Sequence, residues 1–149
     1  MLRVEESTVI NRPIEEVFAY ATDPAHFSEW SPLVIDARQT SDGPMGVGST
    51  IQSTLQFLGR RFDSEQVVTE YEPNRIFSGR STSGPVPMNL TSTFEPLAGG
   101  TRFTWAIEGE SKGFFSLADP LLVPIGRRQI QAMLGTLKDL LEARAGAPA

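Results

Sequence analysis

The chain has 149 residues, of which 40% are hydrophobic and 21% are charged, a composition and length typical of one globular domain. It contains no cysteine and one histidine, which excludes disulfides and cysteine nucleophiles and predicts that no metal is needed. No other cofactor is expected. The formal net charge of −5 argues against nucleic acid and anionic membranes as partners, because both attract basic surfaces.

The chain termini and apolar runs give no sign of export or membrane insertion. Glu5 and Glu6 interrupt the N-terminus before an apolar signal segment could form, so a cytoplasmic location is expected. The longest strongly apolar stretch, Leu121–Ile125, contains Pro124 and is too short to cross a bilayer. We therefore expect no transmembrane segment.

The first third of the chain predicts a strand and two short helices. Arg3–Ile10 is rich in Val, Thr and Ile and is predicted to be a strand. Pro13 is expected at the first position of a helix. The apolar face of that helix is predicted at i, i+3, i+4 and i+7, namely at Ile14, Val17, Phe18 and Ala21. A second helix is predicted from Pro24 to about Glu29, with Phe27 and Trp30 facing inward.

The middle of the chain has short runs separated by turn residues, and no amphipathic helix is predicted there. The predicted strands are Val34–Gln39, Gly48–Leu58, Arg61–Tyr71, Ile76–Thr82, Met88–Pro96 and Thr101–Glu110. The connections are short and rich in Gly, Pro, Asn and Asp, as in antiparallel hairpins. Alternation is clearest in Ile51–Phe57 and Phe103–Ile107, so each strand is expected to have one apolar face.

The last segment predicts a long helix that covers this face. Its apolar residues recur at three- and four-residue spacing, at Ile130, Met133, Leu134, Leu137, Leu140 and Leu141. Pro120 and Pro124 predict an irregular or kinked approach through Phe114–Gly126. The element order predicts an α+β fold in which a strongly bent antiparallel sheet wraps around one long helix.

Several runs resemble a known family. Ile10–Phe18 and Thr22–Pro32 look like the opening of the START/Bet v 1-like (SRPBCC) superfamily, especially its polyketide cyclase/dehydrase-like branch. Tyr71–Ile76 and Phe94–Thr101 are similar to its later hairpins. The resemblance covers nearly the whole chain and implies a helix-grip fold, with about seven strands and an apolar cavity beneath the long helix. These motifs specify the fold better than the activity.

The implied cavity has a predicted lining of inward-facing residues. They are Phe18, Phe27, Trp30, Ile51, Leu55, Phe57, Val68, Arg80, Leu90, Phe94, Phe103, Trp105, Ile130, Met133, Leu134 and Leu137. Ser53 and Ser92 share these faces, where they either bond to a ligand or mark strand ends and edges. Arg80 faces the cavity if Ile76 points inward, and it faces solvent if Phe77 points inward. Alternation permits both registers, and the solvent-facing one is slightly favoured.

Two polar groupings are candidate chemical sites. His26 and Glu29 are spaced to share a helix face, as an acid/base pair or two metal ligands would, but a short exposed helix favours a solvated histidine. Asp63 and Glu65 alternate with Arg61 and are interpreted as the solvent face of a strand rather than a polar cluster in the cavity.

Two motif-like stretches are not assigned chemistry. Gly43, Gly46 and Gly48 lack the order of a dinucleotide-binding motif and the lysine of a P-loop, and are interpreted as a turn at the cavity mouth. Gly79–Ser83 nearly matches G-x-S-x-G, but Ser83 replaces the second glycine and the segment lies in a strand meander. Serine hydrolysis is therefore rejected.

Three functions remain open, and binding of a hydrophobic small molecule such as a lipid, isoprenoid quinone or polyketide is favoured. The alternative is a polyketide cyclase/aromatase or dehydratase-like enzyme, which needs a titratable group inside the pocket. The sequence nominates only Arg80 and, weakly, His26 or Asp63. A third hypothesis, action on a macromolecular assembly, predicts a stripe of exposed apolar residues.

Overall fold

A computed structural model of the chain describes residues 2–57, 59–84, 87–109 and 123–144. In chain order, its elements are β1 (Leu2–Ile10), α1 (Ile14–Ala21), α2 (Phe27–Trp30), β2 (Val34–Gln39), β3 (Thr50–Phe57), β4 (Arg60–Glu72), β5 (Ile76–Ser83), β6 (Met88–Leu97), β7 (Gly100–Gly109) and α3 (Val123–Arg144). A 3-10 turn, Pro24–His26, precedes α2.

The seven strands form one antiparallel sheet in the order β1-β7-β6-β5-β4-β3-β2. Irregular pairing between Glu65 and Gln66, and again between Val68 and Glu70, interrupts the register of the long strand β4. Such bulges increase the local bend and twist of a sheet. The curled sheet and the long helix α3 confirm the predicted α+β, helix-grip fold.

The predicted strands are confirmed with small shifts at their ends. β3 begins at Thr50 rather than Gly48, because Gly48 has a φ of +90°, a left-handed conformation that a strand does not contain. The predicted strand ends Leu58 and Glu110 lie outside the described residues.

Helix α1 begins one residue later than expected. Pro13 has an extended ψ of 146°, so it caps the helix rather than opening it. Its carbonyl accepts hydrogen bonds from the backbone N–H groups of Glu16 and Val17. Glu15 and Glu16 occupy the first turn, where the helix dipole favours negative charge.

Helix α3 begins at Val123, so the last residues of the irregular or kinked approach predicted up to Gly126 belong to the helix. Pro124 fits in the first turn because the N–H it lacks would have no partner within the helix. The rest of the predicted approach, residues 114–122, lies outside the described residues. The buried residues of α3 follow the predicted spacing: Ile130, Met133, Leu134, Leu137 and Leu141.

The core is formed where β1, β6, β7, α1, α2 and α3 meet. Strand β7 enters it beside the end of β1, and a Cβ at Gly100 would lie 2.7 Å from the carbonyl oxygen of Ile10. A glycine is therefore required at this close approach. Within the described ranges, no helix combines the length and apolarity needed to cross a membrane.

Candidate functional site

Seven aromatic side chains form a continuous series of ring contacts, which we name the aromatic wall. In order of contact they are Phe77, Tyr71, Phe18, Phe94, Phe103, Trp30 and Phe27. Neighbouring ring centroids lie between 5.0 Å (Phe18–Phe94) and 6.3 Å (Phe27–Trp30), mostly edge to face. Aromatic pairs favour this geometry, which gives the wall a fixed shape.

The packing along the inner face of the sheet is uneven. Phe103 on β7 is fully buried. Tyr71, Phe77 and Leu90 pack against the same core but are only partly buried. Helix α3 lies mainly against β1 and α2. These three side chains therefore keep accessible surface beside β4–β6, unlike apolar side chains in a filled core.

A group of uncharged polar side chains, which we name the polar patch, lies on the inner face of β3–β5. Its members are Ser53, Ser64, Gln66 and Ser81, which form the cross-strand pairs Ser53–Ser64 and Gln66–Ser81. The Ser64 hydroxyl donates to the Ser83 carbonyl at 3.4 Å. The Ser81 hydroxyl accepts from the backbone N–H of Met88 at 2.8 Å.

Two members of the polar patch keep unused hydrogen-bonding capacity. The Ser53 hydroxyl makes no hydrogen bond within the described part of the chain, although the residue is only 3% exposed. The side-chain amide of Gln66 is likewise unbonded there, and its oxygen lies 3.8 Å from where a Cβ would stand at Gly79. Ser53 is buried and Gln66 is partly buried, so both groups are candidates to bond to a ligand that lies beside them.

An open groove connects the aromatic wall with the surface. Its volume is about 430 Å³. Its lining comes from α1, the following turn, the β2–β3 loop and the β4–β5 turn: Glu15, Phe18, Ala19, Thr22, Asp23, Pro24, Gln39, Met45, Tyr71, Pro73 and Asn74. Phe18 and Tyr71 belong to both the groove and the aromatic wall. The groove therefore reaches the side chains that line the inner face.

The predicted lining residues are mostly brought together on the inner side of the sheet. Those in the core cluster are Phe18, Trp30, Phe94, Phe103, Trp105, Ile130, Met133, Leu134 and Leu137, with Phe27 and Leu90 packed against it. Ile51, Leu55 and Val68 are buried on the β3–β4 part of the sheet. The side chain of Phe57 lies outside the described part of the structure.

Arg80 is the exception among the predicted lining residues. Phe77 packs against the core, which selects the register that turns Arg80 to the outer face. Arg80 is exposed there, opposite Val67 on β4 and Asn89 on β6. The inclusion of Arg80 in the cavity lining was therefore wrong, because the residue is an odd number of positions from Phe77 on a regular strand.

His26 is more constrained than the predicted solvated histidine. Its Nδ1 lies 2.7 Å from a carboxylate oxygen of Glu29, and its ring stacks on Tyr20 at 4.5 Å. The Arg144 guanidinium lies 4.9 Å from the Tyr20 ring centre. Burial, followed by the charge of Glu29, raises the pKa of the Tyr20 phenol, while Arg144 opposes this. Through these contacts, Arg144 at the end of α3 packs on Tyr20 of α1, and His26 connects Tyr20 with Glu29 of α2.

Other predicted polar features behave as surface elements. Arg61, Asp63 and Glu65 are exposed or partly exposed, which agrees with their assignment to the solvent face of β4. Met45, in the glycine-containing β2–β3 loop, lines the groove. Among the described residues, no group of three or more His, Asp or Glu side chains is placed to hold a metal ion.

Glu6, Ser64 and Gln66 lie on the inner face but were not predicted there from the sequence. Glu6 shares the inner face of β1 with Val4, and its carboxylate lies 2.5 Å from the Arg127 guanidinium of α3. Gln66 and Ser64 alternate with the buried Val68. The signal that would have found all three is the two-residue period of a strand, applied to the polar positions as well as to the apolar ones.

A family model described as "Polyketide cyclase / dehydrase and lipid transport" matches residues 1–142. The chain belongs to this family. The resemblance found in its N-terminal and hairpin motifs is thereby confirmed. No curated protein matches the sequence.

Solved structures share the fold at low sequence identity. A protein of Thermus thermophilus is 18% identical, with a TM-score of 0.79 over 96% of this chain and 99% of its own. The Zhui aromatase/cyclase from a Streptomyces species is 16% identical, with a TM-score of 0.75 and coverages of 97% and 95%. A START superfamily protein from Mycobacterium smegmatis is 16% identical, with a TM-score of 0.70 and 95% coverage of both chains. These similarities concern the fold.

Proposed function

We propose that the protein binds one hydrophobic small molecule, of the lipid, isoprenoid or polyketide type, between the inner face of the sheet and α3. The observation that carries this proposal is the partial exposure of Tyr71, Phe77 and Leu90, which pack against the buried core. Apolar walls with a few polar groups are typical of small-molecule sites. Family membership supports the same function.

The groove is proposed as the route by which the ligand reaches this space. It is open to solvent on one side and meets the aromatic wall at Phe18 and Tyr71 on the other. An entering molecule would then exchange water for aromatic surface, which favours binding of apolar compounds.

Binding is favoured over catalysis by the chemistry of the inner face. Acid/base catalysis needs a titratable side chain within reach of the reacting atoms. On β1, the Glu6 carboxylate is paired with Arg127. The earlier candidates Arg80 and Asp63 lie on the outer face. The placement of these charged groups supports a ligand-binding site rather than a site of acid/base catalysis.

A role in binding a protein assembly has less support. The exposed large hydrophobic residues within the described ranges are Val9 and Val47. They belong to β1 and to the β2–β3 loop and do not form a stripe. A docking surface usually needs a contiguous apolar patch.

Titration with the neutral fluorophore N-phenyl-1-naphthylamine tests the proposal. We expect saturable binding of about one probe per chain, because the sheet and helix enclose one space. Leu90→Trp should fill part of that space and weaken probe binding, whereas Val9→Trp, at an exposed position, should not. Non-saturable binding, or equal affinity of both variants and the parent protein, would contradict the proposal.

A further inference from the structure

The inner face of the sheet carries no net charge where the ligand is proposed to lie. On β3–β7, the described inward-facing side chains are apolar or carry a hydroxyl or an amide, apart from Arg60, which is exposed at the first position of β4, opposite Phe57. The buried face of α3 is also apolar. A ligand carboxylate, phosphate or ammonium group would lose its hydration there without gaining a counter-ion, which is strongly unfavourable.

The charged residues of β1 and of the middle of β4 and β5 are paired or lie on the outer face of the sheet. Glu6 on β1 is 2.5 Å from Arg127, and its side chain is 17% exposed. Arg61, Glu65 and Arg80 are exposed on the outer face of β4 and β5. Recruiting one of the paired groups to a ligand would leave the other without a partner, at a large cost in free energy.

The polar patch nevertheless offers hydrogen bonds. The Ser53 hydroxyl can donate and accept, and the Gln66 amide can do both through different atoms. Neither group is bonded within the described part of the chain. An apolar hydrocarbon would leave both unsatisfied, whereas a hydroxyl or carbonyl oxygen would satisfy them without introducing a charge.

We infer that the ligand is an uncharged molecule with an apolar body and a hydroxyl or carbonyl oxygen, and that the polar patch binds this oxygen. The inference rests on the proposed function and specifies its ligand class. It excludes free fatty acids, phosphorylated isoprenoids and amines. The aromatic wall contacts the apolar body, and Ser53 and Gln66 bond to the oxygen.

The experiment compares three fluorescent ligands that differ in one group: 9-anthracenemethanol, 9-anthracenecarboxylate and 9-anthracenemethylamine. At neutral pH we expect the alcohol to bind at least about tenfold more tightly than either ion, since an unpaired buried charge is costly. Carboxylate binding should strengthen as the pH falls from about 8 to about 5, because the neutral acid becomes more abundant. Alcohol binding should change little over the same range.

Substitutions in the polar patch test whether Ser53 and Gln66 bind the ligand oxygen. Ser53→Ala and Gln66→Leu should each weaken alcohol binding about 3- to 10-fold, the loss expected for one hydrogen bond. Ser7→Ala, at an exposed position on β1, is the matched control. Thermal unfolding verifies that each variant is folded.

The outcomes separate the inference from the function on which it rests. If the naphthylamine probe binds but an ion binds as tightly as the alcohol, the ligand class is wrong. The assignment of the polar patch is wrong if both patch variants bind the alcohol as the parent protein does. If neither the probe nor the alcohol binds, the proposed function itself fails.

Discussion

Truncation of Met133 on α3 and of Leu90 on β6 should lower the free energy of unfolding by different amounts. Met133 is 1% exposed and belongs to the core cluster. Met133→Ala leaves a cavity that its close-packed neighbours cannot fill, and we expect it to lower the free energy of unfolding by about 2–5 kcal/mol. Met133→Trp should also destabilise, by about 1–3 kcal/mol, because the site is already full.

Leu90 is only partly buried, so part of its side chain already borders unfilled space. Leu90→Ala removes fewer packing contacts, and its cost should lie at or below about 2 kcal/mol, the low end for such a truncation. The same change should alter the affinity for N-phenyl-1-naphthylamine, since Leu90 contacts the proposed ligand.

Urea denaturation and probe titration of the variants measure both effects. The linear dependence of unfolding free energy on urea gives the stability differences, provided that the slope is unchanged. If Leu90→Ala lowers the free energy of unfolding as much as Met133→Ala and neither alters probe affinity, the inner face is uniformly packed and the prediction is refuted.

Three further predictions use other features. Trp30→Phe removes the buried indole N–H, which has no hydrogen-bond partner among the described residues. This gain offsets the lost packing, so the free energy of unfolding should change by less than about 1 kcal/mol. A thermal melt showing a loss above about 3 kcal/mol would refute this. Ala19→Trp should narrow the groove and slow probe association measured by stopped-flow. Ala132→Trp, at an exposed position on α3, should not slow it. Equal association rates for the two variants would exclude the groove as the entry route. Hydrogen bonds from Lys138 and the Asn11 N–H lower the pKa of Glu142 from its ordinary 4.5. The ionised Glu142 carboxylate therefore stabilises the fold above pH 4.5, and this stabilisation is lost as the pH falls through the lowered pKa. Urea melts should therefore show Glu142→Gln less stable than the parent protein at neutral pH and equal to it in strong acid, and a pH-independent difference would contradict this.

The sequence predicted the fold well because the elements have strong local signals. The helical spacing of Ile130–Leu141 and the alternation of Phe103–Ile107 each define one buried face. Turn residues separate the strands, so a meander follows with few alternatives. The start of α3 was harder to predict, since a proline is compatible with both an irregular segment and the first helical turn.

The candidate site was less predictable because it depends on register and on unsatisfied groups. The run Ile76–Arg80 contains apolar residues at neighbouring positions, so alternation alone does not decide whether Arg80 faces inward. Packing of Phe77 on the core decides it. The unused hydrogen bonds of Ser53 and Gln66 depend on which groups the fold places opposite them, which no local pattern encodes.

The most direct test of ligand binding inside the fold is an intermolecular nuclear Overhauser measurement on methyl-labelled protein with 9-anthracenemethanol. The account predicts contacts between the anthracene protons and the methyl groups of Leu90 and Leu55, which face inward on β6 and β3, and no contacts with the exposed Val9 and Val47. Contacts with the exposed methyl groups alone would place the ligand on the surface and contradict the account.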